Sequence, residues 1–581
     1  MRDIKVKKRI DNGLNQLSSI YKNEPVINSI LCGRGVASIN ELDLSLKGLL
    51  QPGLMVGLEE AAEVLKQAIT NKEKILIVGD YDVDGATSTA LMVRVLKKFA
   101  VKTVDYLVPN RFQFGYGLSP ELVEFAVKHK NPDLIITVDN GIASIEGVSY
   151  AKSSKIKVLI TDHHLPGDVI PCADAILNPV LDKKNLDFKN LAGVGVAFYL
   201  LAQTRILLKE LGWFESNHLP IPKLSSYLDL VALGTIADLV PLDCNNRRLV
   251  FNGLKIIKEK IGNRGILALI HVSEKSPSLI NESDLAFSVA PKINAAGRLA
   301  DISTGIECML ADQQSECEMY AKSLNRINNQ RKVLQTTIND EALKIASSLS
   351  SKLKNEDVPF GFSLFRSDWH QGVSGIVASK IKEVFNRPVV VFAKDKNGIL
   401  KGSARSIAGV HIRDVLSYID SSWPGIIKQF GGHAMAAGLS INANRLKAFG
   451  TKFNFALNQL YNDEYFDEII YTDGELSHKE YSLRFLKKLE QLRPWGNGFP
   501  EPKFDGKFDI IEMKVLKGGH IRMELKPFGL KDTVEAIAFG AENEAWTKNA
   551  KSFLAVFRLQ INRFRNLERV QLIMDKVIRF K

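Results

Sequence analysis

The sequence predicts an α/β protein: a parallel-sheet domain first, then a long linking helix, a second and smaller α/β domain, and an all-β carboxyl-terminal region. Three observations predict it. Apolar strands at 75–79, 104–108, 133–138 and 157–161 alternate with helical stretches near 86–99, 119–129 and 144–153, the pattern of a parallel sheet covered by helices. Tyr320, Leu324, Ile327, Leu334, Ile338, Ala342, Ile345 and Leu349 then recur every three or four residues, or seven across Arg331, which draws one apolar stripe along a helix. Beyond 465, short runs such as 507–511, 534–539 and 553–559 alternate apolar with polar residues between turn signals such as Lys517-Gly-Gly-His520, as a small barrel would.

At 581 residues the chain exceeds one core, and a prior of about 150 residues per domain suggests three or four. The expected division is a motif-free segment 1–45, the parallel-sheet domain 46–305, the connecting helix 306–355, the second α/β domain 356–460 and the all-β domain 461–581. Hydrophobic residues at 45% and charged residues at 24% are the balance of a folded globular chain rather than a disordered one. Five cysteines without a CxxC pair argue against a disulfide framework. The basic amino terminus is followed by no apolar signal region and no run reaches transmembrane length, so the expectation is a cytoplasmic protein without a membrane. A net charge of +12 suggests a polyanionic partner. Its distribution says more: Thr547 to Lys581 carries nine basic residues against Glu568 and Asp575.

The first strand, Ile75 to Val78, runs into Asp80, Asp82 and Asp84, then Gly85 and a small-residue run that begins a helix. Carboxylates this crowded repel one another unless a cation sits among them. The spacing matches half of an EF-hand calcium loop, but the twelfth position is Leu91 instead of Glu and a strand precedes the loop where a helix is required. No Gly-Lys-Ser/Thr follows, which removes the phosphate-binding P-loop. In parallel sheets, ligands bind beyond the carboxyl ends of the strands. The strand at 134–138 ends in Asp139-Asn-Gly141 and the strand at 158–161 in Asp162-His163-His164. Three strands ending in metal-type ligands at one sheet edge predict a site for two divalent ions, Mn2+ or Mg2+ first.

These segments, Gly79-Asp-Tyr-Asp-Val-Asp-Gly85, Val138-Asp-Asn-Gly141 and Asp162-His-His164, resemble the first three motifs of the DHH phosphoesterases, and Ala232-Leu-Gly-Thr-Ile-Ala-Asp-Leu-Val-Pro241 resembles the fourth. Pro109 to Gly117, Leu191-Ala-Gly-Val-Gly-Val-Ala197 and Pro291 to Arg298 resemble the branch of that family specific for single strands. Segments 369–379, Gly402-Ser-Ala-Arg-Ser406 and Phe430-Gly-Gly-His-Ala-Met-Ala-Ala-Gly438 resemble the accompanying DHHA1 domain, and relatives carry an OB-fold at the end. The resemblance implies Asp82, Asp84, Asp139, His163 and Asp238 as metal ligands, with Asp139 between the ions. It makes Asp80 and Asp162 ligands or supporting groups, orienting His163 through its other ring nitrogen, and sets His164 on the scissile phosphate. Arg111, Arg298, Ser403, Arg405 and His433 are the implied substrate-binding residues, with Arg111, Ser403 and Arg405 on a terminal 5′-phosphate.

The activity implied is hydrolysis of single-stranded DNA from its 5′ end to 5′-mononucleotides, in recombination and repair, with a single-strand-binding protein and a helicase as partners. The basic tail, interleaved with Phe553, Phe557 and Phe564, fits a groove that tracks phosphates and stacks bases; the plainer reading makes these rings barrel core. Two alternatives stand: a DHH enzyme for short oligonucleotides or small phosphorylated molecules, and a non-catalytic replication-fork scaffold.

Overall fold

The computed structural model describes residues 4–9, 21, 23–109, 117–351, 359–395, 397–564 and 567–580. The chain divides into two units, one of residues 8–326 with 471–581, the other of residues 1–7 with 327–470.

In the first unit, α1 (Pro25–Cys32) and α2 (Leu58–Thr70) precede a five-stranded parallel sheet. Its elements are β1 (Ile75–Gly79), α3 (Val83–Lys98), β2 (Val104–Leu107), α4 (Pro120–Lys130), β3 (Leu134–Val138), α5 (Ile145–Ser153), β4 (Lys157–Thr161) and β5 (Ala175–Leu177). The strand order is β2-β1-β3-β4-β5. β1 and β3 are buried throughout, which is why they are continuous apolar runs instead of alternating ones. Successive side chains still serve opposite faces: Ile75, Ile77, Leu134 and Ile136 join the core with α2 and α3, whereas Leu76, Val78 and Ile135 join the one with α4 and α5. β5 has no counterpart among the predicted strands, because its three residues are too few to show a period.

Among the further helices of this domain are α6 (Gly193–Glu210), α7 (Leu228–Ala237) and α8 (Ala290–Leu299). The linking helix α9 (Gln314–Ser351) is continuous over 38 residues. Its predicted stripe divides between two cores. Leu324 packs with the parallel-sheet domain, while Ile338, Ala342 and Ile345 pack with the second unit. Leu349, counted in the stripe, is exposed.

The second unit contains β6 (Phe362–Phe365), α10 (Gln371–Phe385), β7 (Val389–Lys394), β8 (Ile399–Arg405), α11 (Ile412–Ser422), β9 (Gln429–Gly432), β10 (Ala436–Asn442) and α12 (Leu446–Leu460). Its sheet runs β9-β10-β8-β7-β6, parallel only between β6 and β7, the one pair joined by a crossover helix.

The chain returns to the first unit as a closed barrel of β11 (Phe504–Leu516), β12 (His520–Pro527), β13 (Val534–Ala538), β14 (Ser552–Phe564) and β15 (Leu567–Phe580), in the order β11-β12-β13-β15-β14 with β14 closing on β11. This closed five-stranded architecture is that of an OB-fold. The barrel is anchored to the catalytic-type domain by a buried bidentate pair, Arg34 with Asp473, at 2.7 and 3.0 Å. Among the described residues no helix is long and apolar enough to cross a membrane.

Candidate metal centre

Sheet register builds the site. Gly79 pairs with Val138, and Val138 with Thr161, so the residues that follow, Asp80, Asp139 and Asp162, leave the sheet at one level. Asn140 ties the ends together by donating to the carbonyls of Val78 and Val138. Asp139 itself sits at a φ of 62°, a left-handed conformation that a non-glycine residue holds only where its surroundings enforce it.

Asp82 caps α3, accepting from the amides of Asp84 at 2.9 Å and Gly85 at 3.1 Å. Asp84 is buried and accepts from Gly193 N–H at 2.6 Å and Val194 N–H at 2.9 Å, the first amides of α6. Asp238 follows α7, and its Oδ2 lies 3.5 Å from His163 Nε2. The same nitrogen lies 3.0 Å from Asp139 and 3.8 Å from Asp84. Ligand-type atoms of Asp80, Asp82 and Asp139, of Asp84, His163 and Asp238, and of Asp139, His163 and His164 form three trios, each within 4.8 Å. Seven of the eight predicted residues are therefore brought together, Asp139 and His163 each belonging to two trios, and the eighth, Asp162, adjoins them through His164.

The electrostatics are those of a cluster short of positive charge. Burial, with Asp82 alongside, raises Asp84 to about 7 and pushes Asp80 well above the usual carboxylate range. Burial and the charges of Asp84, Asp82 and Asp80 push Asp139 up as well, and burial with Asp84 and Asp82 takes Asp238 to about 9. Buried Asp80 Oδ1 has no hydrogen-bond partner. Orphaned and mutually repelling oxygens with one neutral imidazole fit hard-to-borderline divalent cations. His163 suits that role: burial, then the neighbouring His164 charge, takes its pKa down to about 4, and its ring also hydrogen-bonds the Leu191 backbone.

Asp162 departs from the expected orientation of His163. Its Oδ1 accepts from the amides of His163 and His164 and lies 2.7 Å from His164 Nδ1, while Oδ2 accepts from Ile142 N–H. The adjacent Asp-His-His turn places the second ring, not the first, over its own aspartate. Burial disfavours a charged His164, but the hydrogen bond and charge of Asp162 prevail and raise it to about 9.

The remaining expectations fall elsewhere. Arg111 lies outside the described residues. Arg298 ends α8, the helix whose Gly297 abuts the Tyr81 carbonyl and whose Asn294 accepts from Val83 N–H at 3.2 Å, beside the Asp80–Asp84 turn. In the second unit, Ser403 and Arg405 on β8 face β10, where Gly438 and Ala436 are their partners, and Gly432, preceding the exposed His433, pairs with Ala437. Ser403 Oγ lies 2.9 Å from Ser374 Oγ at the start of α10. Arg405 is half-buried, with its pKa lowered by burial, and no carboxylate lies within ion-pair distance of it among the described residues.

The base-stacking expectation for the tail is overturned at two of its rings. Phe553 and Phe557 point into the barrel and are buried, since β14 alternates inward and outward residues. Arg558 is engaged by Asp575 and Glu501, and Arg563 by Glu490 and Glu568. The side chain of Phe564 lies outside the described residues. Sequence reasoning missed the amides of Gly193 and Val194 and the stitching by Asn140 and Ser374. The signal for the first was present: a Gly-Val-Gly at the head of a helix lets backbone approach a carboxylate, and a Cβ on Gly193 would stand 2.6 Å from Asp139 Cβ.

Comparison with known proteins agrees with this architecture. The model of the DHH family, N-terminal domain, matches residues 74–235, the DHHA1 domain 357–459 and the RecJ OB domain 472–576. Over 575 residues the chain is 43% identical to the single-stranded-DNA-specific exonuclease RecJ of Haemophilus influenzae, covering 98% of this chain and 99% of the relative. With the Escherichia coli protein of the same name it shares 42% over 554 residues, 95% and 96% of the two chains. The crystal structure of RecJ in complex with Mn2+ from Thermus thermophilus superposes with a TM-score of 0.81 at 26% identity, over 99% of this chain and 80% of that one; the Mg2+ complex gives 0.75 at 25%, over 99% and 78%. With ligand trios at one sheet edge, the three domain types in order and near-full-length identity above 40%, the chain belongs to the RecJ family of exonucleases.

Proposed function

We propose that this chain is a metal-dependent exonuclease that degrades single-stranded DNA from the 5′ end, releasing 5′-mononucleotides for recombination and repair. The observation that carries the reading is the carboxylate cluster around Asp139, with its raised pKa values and the unpartnered Asp80 oxygen. Asp82, Asp84, Asp139, His163 and Asp238 would hold two Mn2+ or Mg2+ ions, with Asp80 supporting or joining them. Bound there, the ions supply an activated water and neutralise charge on the phosphate oxygens. The chain's own residues do the rest. Gly193 and Val194 fix Asp84 through two backbone N–H groups. Asp162 keeps His164 protonated and oriented, ready to donate to a phosphate oxygen. Arg111, Arg298, Ser403, Arg405 and His433 bind substrate, the guanidinium of Arg405, which has no carboxylate partner among the described residues, being suited to a terminal phosphate. DNA is the polyanion that the net charge of +12 matches, and the reading places the chain in the cytoplasm with a single-strand-binding protein and a helicase as partners.

The test uses single strands labelled at either end, with Mn2+ or Mg2+ and a chelator control. Labelled mononucleotide is expected at once from the 5′-labelled strand and late from the 3′-labelled one, with none under chelator and none from Asp82→Ala. Equal release from duplex, or a fully active Asp82→Ala variant, would sink the reading.

A further inference from the structure

One residue beyond Asp238 the surface opens into an apolar groove of about 240 Å3, lined by Ile236, Leu239, Val240, Ala286 and Phe287 and floored by Trp495. Phe287 is 80% exposed, more than any other large apolar side chain among the described residues. It stands on a π-helical turn, Leu285–Val289, whose end residues are fully buried, so the ring is held outward on a fixed base. Such turns concentrate at functional sites because they displace a side chain from its regular helical position. Leu239, at φ 60°, is likewise turned out, with 65% of its surface exposed. Leu165, the residue after His164, is 60% exposed. Apolar side chains thus directly follow two of the residues that build the metal centre.

The groove is rigid. Asn497 Nδ2 donates to Leu239 O and Asn497 O accepts from Leu242 N–H, both at 2.7 Å. Trp495 stacks on Phe499 at 5.2 Å between centroids, and Glu282 accepts from Arg493 at 2.7 Å and Trp495 N–H at 3.2 Å. The buried Thr235 hydroxyl, also in the lining, has no partner. No lysine or arginine lines the groove, and its ionisable groups are Glu282 and Glu501. Glu282 and Glu501 are already engaged by Arg493 and Arg558, so a phosphate would find no cation in the lining to bind, whereas a flat, neutral, largely apolar group with hydrogen-bonding edges would be accepted.

We propose that this groove is a nucleobase subsite, in which Phe287 stacks on a base of the strand whose phosphate lies at Asp238. The inference rests on the proposed exonuclease activity and deepens it. A paired base in a duplex has both faces covered and its edge engaged, so only an unpaired base can enter. The groove thereby selects single strands at the reaction site itself.

The test compares the full chain with Phe287→Ala and Phe287→Trp in Mn2+, on ordinary single strands and on strands with one abasic residue at each of the first four positions. Phe287→Ala is expected to lower kcat/KM on ordinary strands about 10-fold, mostly through KM, and Phe287→Trp to retain activity. At one position, base removal should slow the parent protein by a similar factor and leave Phe287→Ala no slower than before. If Phe287→Ala matches the parent on ordinary strands, or loses the same factor at every abasic position as on the intact strand, the subsite is refuted while the exonuclease reading stands. A parent protein inactive on ordinary strands would instead refute that underlying reading.

Discussion

Asp84 and Asp238 carry the most informative pH behaviour in the molecule. A carboxylate whose folded-state pKa lies above its unfolded value binds more protons folded than unfolded, so stability falls as pH rises through that interval. For Asp84 the interval runs from 3.8 to about 7, and for Asp238 from 3.8 to about 9. His164, raised from 6.5 to about 9, acts in the same direction, while His163, lowered to about 4, opposes it only below its ordinary 6.5. Above pH 6.5 the metal-free protein should therefore lose stability steadily, and a divalent cation should restore it. Thermal melts are expected to show a Mn2+-induced rise in Tm larger at pH 8.5 than at pH 6.5 by roughly 3 °C or more. Equal rises at both pH values would mean that these carboxylates are not the ions' ligands. The eight residues of this cluster were all visible in the sequence because each follows an apolar run and matches a family motif. The partner of Asp162 was not: whether its ring contact is His163 or His164 depends on how the turn after β4 is wound, and adjacent residues of one type cannot reveal it.

The start of α6 does at the level of an element what no side chain does alone. Its first amides hold Asp84, and its Gly193 lets the helix approach Asp139 so closely that a methyl group would stand 2.6 Å from Cβ and 2.9 Å from Cα. Gly193→Ala should displace the helix start and the two aspartates it contacts, Asp84 and Asp139. A displacement of about 1 Å at a reacting centre costs roughly 100-fold in rate, while the global fold, supported by the extended core around α6, persists. Single-strand degradation together with Mn2+ titration measures this, and a variant with parental activity would remove α6 from the site. Strands β1 to β4 and helices α3 to α5 were legible from their alternation, and β1 and β3 most plainly, since parallel strands buried on both faces are unbroken apolar runs. The tail failed that reading in part. Its aromatics and cations alternate as a base-stacking groove would, but alternation is also what a barrel wall requires, and in β14 the inward set is the aromatic one.

Across the molecule, the segment before the sheet, where no motif was found, proves to fasten the barrel. Arg34 and Asp473 are almost wholly buried, and Arg34 also reaches the carbonyls of Pro500 and Ile30. Removing one partner of such a pair leaves the other charge desolvated, so Arg34→Ala should cost about 3–5 kcal/mol. Replacing both with apolar residues, Arg34→Met with Asp473→Leu, should cost much less. Urea denaturation monitored by tryptophan fluorescence checks this, and a neutral Arg34→Ala would show the pair to be dispensable. The sequence by itself pointed to the α/β and all-β classes through periodicity, and to the domain types and a candidate set of metal ligands through motifs that resemble a known family, because period and short-range spacing are local properties of the chain. Only the tertiary structure decided that Asp80, Asp139 and Asp162 leave the sheet at one level, that Phe553 and Phe557 face into the barrel, and that Phe287 stands exposed in one groove with Leu239. Those facts depend on strand register, barrel closure and the packing of residues 495–501 on 239–242, which join positions far apart in sequence and leave no local period to read.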